Sequence, residues 1–396
     1  MVVIVNALRT PIGRFGGALA TVPPEDLLAL VINNNLSLSG LTPDLVDEVI
    51  VGQTKQSAHT PNIARVSALK AIFPESVTGY TVHRQCGSGM QAVANAYQSI
   101  AMGQSQIVLA GGVESMSQAP YYFVGNRFGI QPGDLTLYDS NTESQPRSQP
   151  QSRYGHFTMG ETAEWLAEKY AISREEQDAY ALQSQQKARR AIQTHAFTDE
   201  IVPVEIQEGK LGTRLFAVDE HPRETTLEKL AKLAPVFREG GTVTAGNSSG
   251  RNDGAAMLLM MKEERALALG LTPLARIRSF AAAGVSPKEM GIGPVPASQK
   301  ALAMAGLELG DMELIELNEA FAAQSLAVLK EWGITEERVN VNGGAIALGH
   351  PLGCSGARIL VTLVHEMRKR DAKYGLGTLC IAGGQGMAMV VEKWEE

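Results

Sequence analysis

Apolar residues in this chain fall in short unbroken runs, and the runs recur. MVVIVNALR opens the chain as a strand, and TPIGRFGG follows as a turn. Residues 41–53, LTPDLVDEVIVGQ, read as a short helix and then an apolar strand. Residues 307–319, LELGDMELIELNE, read the same way. A second pairing is stronger. TVHRQCGSGMQAV (81–93) leads through a helix over about 88–103 to the strand QIVLAGGVES (107–116). VNVNGGAIALGHPLGCSGARILVTLVHEM (339–367) leads to GTLCIAGGQGMAMVVE (377–392). In both, a turn ending in Ser-Gly opens a helix, and an apolar strand then ends in Ala-Gly-Gly. Continuous Val/Ile/Leu runs predict strands covered on both faces, so the pattern predicts an α/β protein built from two copies of one unit.

Between the copies lies a different region, roughly 117–245. SQPRSQPQSR (144–153) is polar and carries prolines, which predicts an exposed loop. Two helices follow, GETAEWLAEKY (160–170) and a second that begins with a Ser173–Glu176 capping box and runs through REEQDAYALQSQQKARRAI. This region reads as an insertion carried on the first copy. TVTAGNSSGRNDGAAMLLMM (242–261) then returns to the first sheet.

The bulk numbers narrow the function. A chain of 396 residues is long enough for at least two domains. A net charge of −7 argues against a nucleic-acid surface. No apolar run is long enough to span a bilayer, no basic leader precedes the first strand, and VVEKWEE carries no peroxisomal or lipid signal, so a cytoplasmic location is expected. The three cysteines, Cys86, Cys354 and Cys380, make no disulfide framework. There is no CxxC or HExxH, and Pro351 and Gly353 are expected to break any helix that would align His350 with Cys354 on a metal.

Cys86 stands where a strand ends and a helix begins, beside Gly87, Ser88 and Gly89. Unpaired N–H groups and the helix dipole favour an anion there, which predicts a thiol pulled below its free pKa and an N–H ready for an oxyanion. Its structural alternative is a buried core cysteine. His350 occupies the matching turn of the second copy, and packing of the copies would bring the turns together. That makes it the candidate base, against the ordinary role of a satisfied core or surface histidine. His83 is closer in sequence, but strand alternation could turn it away. Cys380 ends an apolar strand and on its own reads as core. Asn318 sits where a strand meets a helix and on its own reads as an N-cap.

Together Cys86-Gly-Ser-Gly, Asn318-Glu-Ala-Phe-Ala, Gly349-His350-Pro and Cys380-Ile-Ala-Gly-Gly-Gln-Gly resemble the thiolases, as do ALRTPIG, AGGVESMS, TAGNSSGRNDGAA, MGIGPVPA and NVNGGAIALGHPLG. The likeness covers nearly the whole chain. It implies the thiolase fold, two similar α/β halves stacked as five layers (αβαβα) with an inserted loop domain. The halves would be 1–116 with 245–268, and 269–396; the insertion would be 117–244. It implies thiolytic cleavage of 3-ketoacyl-CoA by CoA or the reverse Claisen condensation, with acyl-CoA and CoA as partners, no metal and no cofactor, in a homodimer or homotetramer.

The resemblance also implies roles. Cys86 would take the acyl group, His350 would activate it, Cys380 would move a proton at the α-carbon, and Asn318 would hold a water in an oxyanion hole. The backbone N–H groups of Cys86 and Ala382 would form a second hole. Ser249 would contact pantetheine, Arg223 a CoA phosphate, and Met159, Met290 and Phe321 the acyl group. Three departures stand out. Ala382 replaces a usual Gly, which would strain the backbone if φ were positive. His83 replaces a frequent Asn. Thr158-Met159-Gly160 replaces the His-Met-Gly of acetoacetyl-CoA enzymes, which, with Met90-Gln91, favours broader 3-ketoacyl-CoA substrates over acetoacetyl-CoA alone. A condensing ketoacyl synthase is disfavoured by the second thiol. A non-catalytic acyl-CoA binder has no need of two thiols and a histidine.

Overall fold

A computed structural model describes residues 1–130, 132–207 and 212–395. The first half contributes β1 (Val2–Arg9), β2 (Glu48–Gly52), β3 (Thr78–Val82), β4 (Ile107–Ser115) and β5 (Asn252–Lys262). The second contributes β6 (Ala275–Gly284), β7 (Leu314–Leu317), β8 (Tyr374–Ile381) and β9 (Gln385–Lys393). Their order in the sheet is β3-β2-β4-β5-β1-β6-β9-β8-β7. The halves match strand for strand. β2 is parallel to β3 and β4, as β7 is parallel to β8. The antiparallel run β4-β5-β1 matches β8-β9-β6. Even β3 has a remnant counterpart, a parallel bridge from Ile315 to Val339. Among the described residues, the two half-sheets pair through Val3 with Arg276 and Ile4 with Ala275.

Alternation along β1 shows the layering. Val3, Val5 and Leu8 join one apolar cluster with α1 (Pro24–Ser39) and α2 (Ile63–Lys70). Val2, Ile4 and Ala7 join another with α3 (Ser88–Ala101) and the long helix Leu352–Arg370. A third cluster covers the outer face of the second half-sheet. It holds α4 (Met159–Lys169), α5 (Arg174–Gln193), α6 (Pro294–Ala305) and α7 (Ala322–Trp332), and the long helix becomes α8. The result is helix, sheet, paired helices α3 and α8, sheet, helix, as expected. No helix among the described residues is long and apolar enough to cross a membrane.

Two expectations need correction. α8 begins at Leu352, so Ser355-Gly356 lies inside its first turn and Gly353 does not break it. Pro351 stands at the N-cap position with φ −68°, which suits entry to a helix. α4 begins one residue early because Thr158 and Glu161 form a capping box that the sequence reading passed over.

Glycine sets how closely the central helices approach. A Cβ on Gly89 would lie 2.8 Å from the backbone N of Ala357, and one on Gly356 would lie 2.5 Å from the backbone N of Met90. These equivalent positions of the two copies cross each other, and only a missing side chain lets the backbones meet.

Candidate active site

The crossing of α3 and α8 places their N-terminal turns side by side. Cys86, His350, Cys380 and Ala382 all line one cavity of about 200 Å3. Met159, Phe237, Met290, Phe321 and Leu352 give it an apolar wall. Ser248, Ser249 and Gly250 also line it, and this segment is held to the second half because Ser249 N–H donates to Ala320 O at 3.0 Å.

Cys86 is half-buried just before α3. Burial pushes its thiol above its ordinary value. The backbone N–H of Ala382, its own N–H and the charge of Lys55 pull the other way without winning. The expected low pKa is therefore wrong. The helix terminus was visible in the sequence, but the loss of water around the sulfur was not. The same two N–H groups nevertheless converge on the sulfur, as an oxyanion hole requires.

His350 is the most firmly held group. Its backbone N–H donates to Asn252 Oδ1 at 3.0 Å. Its Nδ1 lies 2.6 Å from Ser355 Oγ, and that hydroxyl donates to Pro351 O at 2.8 Å. With its only proton committed, Ser355 must accept from Nδ1–H, which leaves the Nε2 lone pair free. Asn318 Nδ2 stands 3.5 Å from Nε2 as a donor. Burial, with Arg358 adding, drives the imidazole pKa down to about 3, so it is neutral at physiological pH, with Nε2 unprotonated. Cys380 is buried, and burial followed by the charge of Cys86 pushes its thiol far up, so it rests as an acid.

Asn318 is not an N-cap. Helix α7 starts four residues later, at Ala322. Asn318 Oδ1 is buried and has no hydrogen-bond partner among the described residues. The next residue, Glu319, fixes this turn by accepting from Tyr180, Ser184 and Asn340 side chains and from Ile346 N–H. Asn252, Ser355 and Glu319 were not singled out from the sequence. Asn252 directly follows Gly-Asn-Ser-Ser-Gly-Arg, and nothing in that stretch points to a partner 98 residues away.

Two departures lose their force here. Ala382 is not among the residues with positive φ; the left-handed positions are Gly383 and Gly384, at 86° and 81°. His83 is exposed and does not line the cavity. Thr158 caps α4, accepting from Glu161 N–H at 3.4 Å. Arg223 stands apart from the cavity. Its side chain is exposed, and among the described residues only its backbone N–H is tied down, to Gln185 Oε1 at 2.8 Å. Cys354 is packed in the core between the sheets, and no cluster of three metal-binding side chains is present among the described residues.

A thiol met by converging N–H groups, beside a neutral imidazole, has the layout of acyl transfer through a thioester. Residues 2–264 match the family described as "Thiolase, N-terminal domain", and residues 271–393 match "Thiolase, C-terminal domain". An acetyl-CoA acetyltransferase of Escherichia coli is 53% identical over 99% of this chain and 98% of its own length. The crystal structure of Bacillus anthracis acetyl-CoA acetyltransferase superposes with a TM-score of 0.96 at 49% identity, covering 99% of this chain and 98% of that one. Human mitochondrial 3-ketoacyl-CoA thiolase in complex with CoA gives 0.94 at 45% identity, covering 99% and 98%. The chain belongs to the thiolase family and is an acyltransferase.

Proposed function

We propose that this enzyme cleaves 3-ketoacyl-CoA with CoA, and runs the Claisen condensation in reverse, through an acyl group on Cys86. The observation that carries this is the convergence of Cys86, His350 and Cys380 on one cavity, with the N–H groups of Cys86 and Ala382 turned to the sulfur.

His350 Nε2 takes the Cys86 proton, and the sulfur attacks the 3-keto carbon. The new oxyanion rests on the N–H groups of Cys86 and Ala382. As it collapses, the bond between C2 and C3 breaks and its electron pair stays on C2. Cys380 protonates that carbon, and acetyl-CoA leaves. The protonated His350 and Asn318, which orients a water, stabilise the enolate oxygen on the other side. Incoming CoA gives its proton to the Cys380 thiolate and attacks the acyl-Cys86. The Cys86 sulfur leaves and recovers its proton from His350. Two oxyanions form at different places, so two sets of donors are needed.

CoA enters past Ser249, and the 117–244 insertion supplies most of its contacts. Met159, Met290 and Phe321 contact the acyl group; Arg223, out in solvent, is left for the phosphate end. The working unit is a homo-oligomer. A narrower reading, acetyl-CoA acetyltransferase restricted to acetoacetyl-CoA, draws on relatives of that name at about 50% identity. Thr158 at the place of the loop histidine, spent on a helix cap, favours the broader one.

The test is intact-mass analysis after incubation with a 3-ketoacyl-CoA. Wild type should carry one acyl group, and Cys86→Ala should carry none and show no thiolysis. Turnover retained in Cys86→Ala would end this reading.

A further inference from the structure

One wall of the cavity is polar, and the mechanism above has no use for it. Gln85, Asn141, Ser144, Gln145, Ser148 and Arg251 line it. Behind it lies Lys55, which is 5% exposed. Its Nζ donates to Ser144 Oγ at 2.6 Å and to Ser140 O at 2.9 Å. Both acceptors are neutral. Burying an ammonium is costly without a direct carboxylate partner, and a chain filling this place only for packing would use an apolar side chain.

The charge does not stop at Nζ. Ser144 Oγ accepts from Lys55, and its own proton has no acceptor among the described residues. Such a hydroxyl is polarised and presents a charge-assisted donor at the cavity surface. The neighbouring hydroxyl is not free: Ser148 Oγ donates to Ser144 O and accepts from Gln85. Arg251 adds a second cation. It pairs only loosely, at 3.9 Å from Asp139 and 3.5 Å from Thr142 Oγ1. Asp139 is already engaged, accepting from Asn141 N–H and the Thr142 hydroxyl at 2.9 Å each. The other nearby carboxylate, Glu114, is taken up by Thr54, by the Lys55 backbone N–H and by Gly353 N–H.

We propose that Lys55, acting through Ser144, and Arg251 together form a subsite for a carboxylate at the far end of the acyl chain, so that the preferred substrates are 3-ketoacyl-CoAs of dicarboxylic acids. This rests on the thiolase reading and names the substrate class for the same site. The apolar wall of Met159, Met290 and Phe321 takes the chain, and the polar wall takes its terminus. Burial lowers the Lys55 pKa, opposed chiefly by Glu114 and then by Cys86, and an anion bound beside it would restore its charge.

The probes are 3-ketohexanoyl-CoA and 3-ketoadipyl-CoA, which differ in a terminal methyl against a terminal carboxylate. Wild type should favour the carboxylate by roughly tenfold or more in kcat/KM, the worth of one charge-assisted bond. Lys55→Met and Ser144→Ala should each erase most of that ratio, and Lys55→Arg should keep part of it. Ser144→Ala leaves the lysine in place, so it decides the matter should Lys55→Met not fold. A wild type that prefers the methyl substrate overturns the proposal. So does a carboxylate preference that survives in Ser144→Ala, Lys55→Met and Arg251→Met alike. Failure of both substrates while acetoacetyl-CoA is still cleaved would overturn this proposal and favour the narrower reading; failure of acetoacetyl-CoA as well, with no acyl adduct on Cys86, would overturn the thiolase reading itself.

Discussion

The turns before α3 and α8 are copies of one piece of structure, put to opposite uses. Both lie at the N-terminus of a central helix, and the helices cross at Gly89 and Gly356. The first presents Cys86, half-buried, with backbone N–H groups around the sulfur. The second presents His350, 5% exposed and gripped by Asn252, Ser355 and Asn318. A nucleophile must be reached by substrate and must move as it is acylated. A base must hold one tautomer and one orientation. The duplicated fold supplies the same corner twice, and the side chains around each corner decide whether it is open or fixed.

The strongest way to break this division of labour is to remove the base and keep the nucleophile. His350→Ala should lower thiolysis by roughly two to four orders of magnitude, the usual worth of a positioned base. Iodoacetamide should still alkylate Cys86 at high pH, where the thiolate forms without help. Turnover within a few-fold of wild type would mean that Cys86 finds its base elsewhere.

Next comes the crossing that holds the corners together. Gly356→Val and Gly89→Val should each lower stability by about 1–3 kcal/mol or more, read as a shift in the urea midpoint, because the new side chain meets backbone that cannot rotate away. If only one is destabilised, the crossing is less symmetric than the paired contacts imply.

Acid sharpens the contrast differently. The His350 pKa falls from 6.5 to about 3 on folding, first by burial and then by Arg358. The unfolded chain therefore binds this proton near pH 6.5 while the folded chain refuses it. The contribution of His350 to stability is whole above pH 6.5 and is lost as pH falls toward 3, by up to about 1.4 kcal/mol per pH unit. Urea midpoints for wild type and His350→Gln should diverge in slope over that window; parallel curves would show that the imidazole is not held neutral. Cys86 runs the other way. Burial raises its pKa, so its alkylation rate in free enzyme should keep climbing past pH 9.

Much of this was readable in the chain because the duplicated unit repeats its punctuation. Ser-Gly in the first turn of each central helix marked the two copies, and Cys86 and His350 fell at equivalent corners. The shared Ala-Gly-Gly marked them too, although in the first copy it lies within β4 and only in the second does it follow the strand, after β8. The Ser173–Glu176 capping box was found by spacing alone. What could not be read were contacts set by tertiary packing. Asn252 reaches His350 only because the start of β5 pairs with the short strand Gly13–Arg14 that follows β1, where its Nδ2 also donates to Gly13 O at 2.9 Å. Ser355 is an unremarked polar residue in the first turn of α8 until its single proton is traced to Pro351. Burial of the Cys86 thiol follows from the second half closing over the first, which no window around residue 86 contains.

Ala382 gives the smallest and most discriminating test. A strained alanine would be relieved by Ala382→Gly, which would gain stability and free the N–H that faces Cys86. The backbone denies that strain: φ turns positive only at Gly383 and Gly384. Glycine at 382 would then add only conformational freedom to the unfolded chain, costing about 0.4–1 kcal/mol. The urea midpoint should fall slightly and kcat should not rise. A stabilised, faster Ala382→Gly enzyme would show that this corner, not the one at His350, is where the second copy is under tension.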